Sequence, residues 1–410
     1  MKYIEYEQFV PLQIDSFYNS YRAEIKEIHN KLHSGTNSMT DWVDFPKEVL
    51  KTDLIERIRE TAAKINAEST AMVVVGIGGS NLGTQALHQM LKHRCTKTRL
   101  LYAGCNLSGQ YHNELLKRLD AEKDVSVCVV SKSGGTFEVM LAFGVLKKYM
   151  QARYGDDYCK RIYVITDPVK GELRKEAIEN GYTAFEVPPE IGGRYSVHTA
   201  VGMLPMAVAG LDIEEFINGA SMAVGELGSE NIEENPCYQY ALLSFLCNKE
   251  FKKSLEMFSV TEKKFTLFTK WLVQLFGESE GKDGRGIFPT TALYSTDFHS
   301  LGQFLATGNQ IYFESNFYLV NSTVSVDNEY IAEVYKNLNN YVHETVVRVR
   351  KNSNVPLFSF GLKDLNEAMV GYLFYYFEKA CAVRSYLHKV NPFNQPDVEL
   401  YKKEMRELCI

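Results

Sequence analysis

The sequence predicts an α/β fold of two doubly wound parallel-sheet domains, αβα sandwiches, with helical N- and C-terminal extensions. Three observations predict it. Short runs that are apolar throughout recur along the chain, as strands buried on both faces require. Helix-length patterns separate them. Glycine- and serine-rich turns close two of the runs and open the helices that follow.

Residues 1–60 read as polar and mostly helical. Strand runs follow at 71–75, 125–130, 161–166 and 183–187. They end at Gly76, Ser131, Asp167-Pro168 and Pro188-Pro189. Helices are expected over 82–92, 136–150 and 171–180. The pattern resumes with strands at 255–260, 311–320 and 356–360, separated by helices at 265–276, 329–350 and 365–388. The small, apolar segment 198–211 reads as a helix packed between domains. A last helix begins near Pro396, where a missing N–H costs nothing. The expected division is an extension over 1–60, α/β domains over 61–210 and 211–390, and a C-terminal helix over 391–410.

A length of 410 residues accommodates two such domains and a sizeable core. The chain is 45% hydrophobic and 23% charged, an ordinary soluble composition. Its net charge of -6 argues against nucleic acid as a partner, so any anionic ligand must be held by a local arrangement. Eight scattered cysteines without a Cys-x-x-Cys spacing suit a reducing cytosol. The first ten residues carry acidic residues and lack a signal-like apolar core, and no apolar run approaches a membrane span. A soluble cytoplasmic protein without membrane partners is expected.

Two turns carry the first functional signal. One is Gly76-Ile77-Gly78-Gly79-Ser80-Asn81, the other Ser131-Lys132-Ser133-Gly134-Gly135-Thr136. Each joins a strand to a helix, where free N–H groups and the positive dipole end favour phosphate. The first lacks the last glycine of the dinucleotide fingerprint, and no P-loop run exists. A single turn of this kind is a tight strand-to-helix junction. Two of one design, rich in hydroxyls and holding Lys132, point to a phosphate monoester.

The second signal is Gly277-Glu278-Ser279-Glu280-Gly281-Lys282, followed by His299 and Gln303. This is acid/base equipment without a metal-ligand pattern. The segment alone does not rank Glu278 against Glu280.

Together these segments resemble the glucose-6-phosphate isomerase (phosphoglucose isomerase) family in its bacterial form. The resemblance runs from about residue 73 to 402. It rests on VVGIGGSNLGTQAL, VVSKSGGTFE, EIGGRYSVHTAVGMLPMAVAG, GESEGKDGRGIFP with DFHSLGQF, and NPFNQPDVELYKK, in the family's order. Asn394 and Asp397 depart from the closing signature, which usually has Asp and Gly there. The resemblance implies sugar-isomerase-type domains and interconversion of glucose 6-phosphate and fructose 6-phosphate through a cis-enediol, in glycolysis and gluconeogenesis. It implies no cofactor and no metal. Glu278 would be the base, with Glu280 the less favoured neighbour. Arg194 would stabilise the enediol, and His299 and Lys402 would open the ring, with Lys403 as a rival to Lys402. Ser131, Lys132, Ser133 and Thr136 would hold phosphate. Gly79, Ser80, Gln274 and Gln395 would contact the sugar. His198 is expected to be structural, and Asp297 to orient His299. A homodimer with the histidine donated by the partner is also implied. Against a sugar-phosphate-sensing regulator stands the lack of a basic helix-turn-helix candidate in residues 1–60. Against a metal-dependent isomerase stands the lack of paired histidines.

Overall fold

The structure, a computed structural model, describes residues 1–35, 38–320, 329–335 and 337–409. Ten strands lie among them: β1 (Ile4–Phe9), β2 (Ala71–Val75), β3 (Arg99–Ala103), β4 (Val125–Ser131), β5 (Ile162–Thr166), β6 (Thr183–Glu186), β7 (Leu255–Val260), β8 (Phe288–Leu293), β9 (Tyr312–Leu319) and β10 (Leu357–Leu362). They form two five-stranded sheets. The chain divides into two compact units, Ser38–Ile217 with Pro396–Ile410, and Met1–Asn37 with Asn218–Gln395.

The first unit holds β3-β2-β4-β5-β6, parallel throughout. Every residue of β2, β4 and β5 is buried, which is why these strands lack polar alternation. Numbered within the unit, the order is 2-1-3-4-5, with its reversal between β2 and β4. Ligands of such sheets bind outside the carboxyl ends of the strands at that reversal. Both glycine-serine turns sit there, because one follows β2 and the other continues β4.

The helix Ala200–Ala209 is buried almost all round. It packs on the helices Leu54–Glu68 and Leu82–Leu91, and Thr84 Oγ1 donates to its Val201 carbonyl at 3.1 Å. These contacts are with its own unit's helices. All-round apolarity demands burial without saying against what.

In the second unit the order is β1-β10-β9-β7-β8. The four strands β7 to β10 pair in parallel and repeat the 2-1-3-4 order of the first unit. β1 adds an antiparallel edge against β10. The helical reading of 1–60 is thereby corrected at its start, where Ile4, Glu5, Tyr6 and Glu7 alternate as a half-exposed strand does. That segment is also shared, with 1–37 in the second unit and the rest in the first. The α/β boundary falls at 217/218, against 210/211 expected, and the closing segment divides after Gln395. The single helix expected over 329–350 is two, Glu329–Val334 and Leu338–Asn352, with Asn337 at φ 61° before the second. Asparagine tolerates that left-handed conformation better than most residues. Among the described residues no helix is long and apolar enough to cross a membrane.

Candidate active site

The first unit carries eight of the expected site residues: Gly79, Ser80, Ser131, Lys132, Ser133, Thr136, Arg194 and Lys402. In the second turn the hydroxyls cluster. Thr136 Oγ1 lies 3.5 Å from Ser131 Oγ and 3.2 Å from Ser133 Oγ. Gly134, at φ 67°, makes the bend, and a side chain there would press on the backbone of 171–173. The helix Phe137–Tyr154 starts directly after Thr136, so its unbonded first-turn N–H groups face this cluster's end of the sheet.

Ser133 and Thr136 also line a cavity of about 90 Å³ with Phe137, Glu138, Glu399, Lys402 and Met405. Lys402, half-buried, borders it and bonds Glu399 at 2.6 Å. Lys403 does not line it; its side chain is 72% exposed and pairs with Glu407. The geometry thus favours Lys402 over its neighbour.

Arg194 is only 5% exposed, in the short turn Gly193–Tyr195. Three contacts build its seat. Tyr195 packs on Trp42 with ring centroids 4.8 Å apart. A Cβ on Gly79 would lie 2.4 Å from the Gly193 carbonyl, so only glycine lets the first turn meet the Arg194 turn. Lys132 Nζ donates to the carbonyls of Pro189 (2.6 Å) and Ile191 (2.9 Å), which lead into it. Two of the three ammonium hydrogens are therefore spent on backbone. Burial lowers the Lys132 pKa, with Asp167 and Glu190 opposing. Lys132 was expected on phosphate; its contacts here tie the two loops together. His198 stacks on Phe216 at 5.0 Å and is buried, a core position.

Four expected residues belong to the second unit: Gln274, Glu278, His299 and Gln395. The helix Thr266–Glu280 is longer than the 265–276 expected and carries both carboxylates on its last turn. Gln274 Nε2 donates to Glu278 Oε1 at 3.1 Å, as their one-turn spacing allows. Glu278 is half-buried. Glu280 is fully buried, and Arg384 Nε donates to its Oε1 at 2.6 Å. Arg384 Nη1 reaches Glu256 at 2.6 Å, and its guanidinium lies 4.1 Å over the Phe276 ring. Burial pushes the Glu280 carboxyl up to about 7 against the pull of Arg384. A value near neutrality is often a base's mark. Geometry comes first, however, and a carboxylate fully buried on an arginine reaches no substrate carbon. Glu280 is held in the core by Arg384, and Glu278 is the more accessible of the two carboxylates.

His299 is exposed, at the end of the turn Thr296–Phe298. Asp297 does not orient it as expected. Its two oxygens accept from Leu293 N–H (2.7 Å) and the Ser300 hydroxyl (2.8 Å). Gln395 is half-buried, just beyond Asn394, whose Oδ1 accepts from Lys282 Nζ at 3.0 Å. The departure at 394 thus gives Lys282 a neutral acceptor. Asp397 immediately precedes the helix Val398–Cys409, where an acidic residue is favourable. Sequence reasoning missed Arg384 and Lys282. Arg384 leaves a readable trace, as an arginine inside a helix otherwise buried all round.

The comparisons with known proteins bear on the whole chain. The family model described as phosphoglucose isomerase matches residues 22–303. A glucose-6-phosphate isomerase of Bacillus thuringiensis (strain Al Hakam) is 41% identical over 409 residues, covering 94% of this chain and 90% of the relative. Among solved structures, a hypothetical protein from Thermus thermophilus is similar with TM-score 0.87 and 25% identity, covering 99% of this chain and 100% of that one. A glucose-6-phosphate isomerase from Chlamydia trachomatis shares the fold with TM-score 0.84 at 18% identity, covering 100% of this chain and 89% of that one.

Proposed function

Because this chain belongs to the phosphoglucose isomerase family, we infer that it interconverts glucose 6-phosphate and fructose 6-phosphate. The observation that carries the residue assignment is the separation of the two neighbouring carboxylates. Glu280 is committed to Arg384, and Glu278 is not buried with it. Glu278 takes the proton from C2 of the open-chain aldose and returns it to C1, so one carboxylate serves both transfers. Gln274, bonded to its Oε1, limits the rotamers of the base. The enediol puts negative charge on oxygen, and Arg194 supplies a preorganised positive charge for it. Ser131, Ser133 and Thr136, at a helix N-terminus, hold the phosphate. Lys402, at the rim of the same cavity, and His299 move the protons that open the ring. Gly79 and Ser80 support the sugar, and Gln395 contacts it.

The test is a coupled assay. Purified protein receives fructose 6-phosphate with a chelator present, and glucose 6-phosphate is read by its dehydrogenase. Turnover is expected without added metal, and product no faster than the enzyme-free rate would sink the assignment.

The active form is a cytoplasmic homodimer in which His299 serves the site of the other copy. Support comes from the exposure of His299 beside the exposed apolar side chains Leu301 and Phe304. Sedimentation at assay concentration should give twice the mass of the 46.7 kDa chain. A fully active species of single-chain mass would refute the shared site.

A further inference from the structure

We propose that Lys282 is a positioning residue, holding the turn that presents Gln395 in register with the base Glu278; this rests on the isomerase reading above. Lys282 stands four residues after Glu278 and is 8% exposed. Its Nζ donates to the Asn391 carbonyl and to Asn394 Oδ1. Its backbone is pinned as well, with its N–H on the Glu280 carbonyl (2.7 Å) and its carbonyl on the Arg285 N–H (2.8 Å).

The strap has two flanking anchors. Arg384 holds Glu280 at 2.6 Å, and Arg285 Nη1 donates to the His388 carbonyl at 3.0 Å. Three side chains of one six-residue turn therefore reach the end of the helix Glu367–Leu387 and the segment beyond it. The 391–394 turn is closed on itself by the Phe393 N–H on Asn391 Oδ1 at 2.9 Å.

A buried ammonium is costly without acceptors, and hydrogen bonds to a charge are stronger than neutral ones. The Asn391 carbonyl and Asn394 together make the 391–394 turn a receptor for Lys282. Gln395 is the next residue, about 3.8 Å along the chain from Asn394, so a shift of Asn394 is a shift of Gln395. Lys282 itself touches no substrate in the proposed mechanism.

The experiment uses the full chain with fructose 6-phosphate, measuring kcat, KM, melting temperature and, by ligand-dependent thermal shift, binding. Lys282→Met is expected to raise KM about tenfold or more, since sub-ångström displacement of a binding group is enough for that, with kcat within about threefold. Asn394→Ala should raise KM in the same direction by less. The double variant should be no worse than Lys282→Met alone, because both remove one contact. Asn394→Asp, which offers Lys282 a charged acceptor, should keep the wild-type KM. If Lys282→Met does not fold, Asn394→Ala carries the test. A lowered melting temperature with KM unchanged, or additive effects in the double variant, would overturn the proposal. Wild-type protein that binds the sugar phosphate without turning it over would refute the isomerase reading alone. The loss of binding in Lys282→Met would then still report on the positioning.

Discussion

Glu278→Gln is expected to lower kcat by roughly three orders of magnitude, within the range general acid-base groups contribute, while KM moves by less than about threefold. The substitution keeps the side chain's length and an acceptor for Gln274, whose amide bonds Glu278 at 3.1 Å. It removes only the capacity to carry a proton. In deuterated water the variant should therefore stop exchanging the C2 hydrogen of glucose 6-phosphate, yet still be protected by the ligand against thermal unfolding. Glu280→Gln is the control. Its partner Arg384 keeps Glu256 at 2.6 Å, and the glutamine oxygen still accepts from Arg384 Nε, so the cost is a weakened hydrogen bond, at most about 1.5 kcal/mol of stability. Exchange should persist in that variant. Retained C2 exchange in Glu278→Gln, with loss in Glu280→Gln, would reverse the two roles.

The sign of the Glu280 shift supports that division. A carboxyl raised to about 7 in the fold and near 4.3 unfolded is held more tightly as the acid in the folded state. Its contribution to stability is fully present below about pH 4.3 and is lost as pH rises through about 7. Once ionised, Glu280 leaves one net negative charge in the Glu256–Arg384–Glu280 group, a strain that belongs to the core and not to the reaction.

The strands that sequence reading found are, β6 apart, interior to their sheets, and those it missed stand at the edges. β2, β4 and β5 were legible as apolar runs because sheet neighbours and covering helices bury them; β7, β9 and β10 were read as strands between helical patterns although β7 and β9 carry Glu256 and Glu314, and β6 was read from a run closed by two prolines. The three missed strands, β1, β3 and β8, each stand at a sheet edge. β8 includes Pro289, which an edge tolerates, and β3 is buried at only two of five positions. The partition of the chain was hidden for another reason. Residues 1–37 and 396–410 each join a unit distant in sequence, and no local pattern encodes a long-range return. The site divides likewise. Hydroxyl-rich turns and the Glu278 segment announce themselves by composition. The commitment of Lys132 to two carbonyls, and of Glu280 to Arg384, depends on residues 57 to 104 positions away.

Arg194→Ala should slow turnover by about 10²–10³-fold, the usual cost of losing one preorganised group that meets developing charge, with KM changed by less than about fivefold. The reasoning starts from the seat and not from the charge alone. An arginine 5% exposed cannot reorient cheaply, because Trp42 and Tyr195 stack behind its turn at 4.8 Å and the first glycine turn closes on Gly193. A guanidinium so fixed costs no reorganisation when the enediol forms. The ground-state sugar phosphate is neutral at C1 and C2, so the interaction grows along the reaction coordinate and should appear in kcat. Arg194→Lys keeps the charge but loses the planar fork and its reach, so its rate should fall between those of wild type and the alanine variant. Melting temperature must be followed in parallel, since truncating a buried side chain also leaves a cavity. A variant that melts normally, binds fructose 6-phosphate as wild type does and turns over slowly is the expected result. Equal losses in kcat/KM and in binding affinity, with kcat intact, would make Arg194 a binding group alone and leave the enediol charge to another donor.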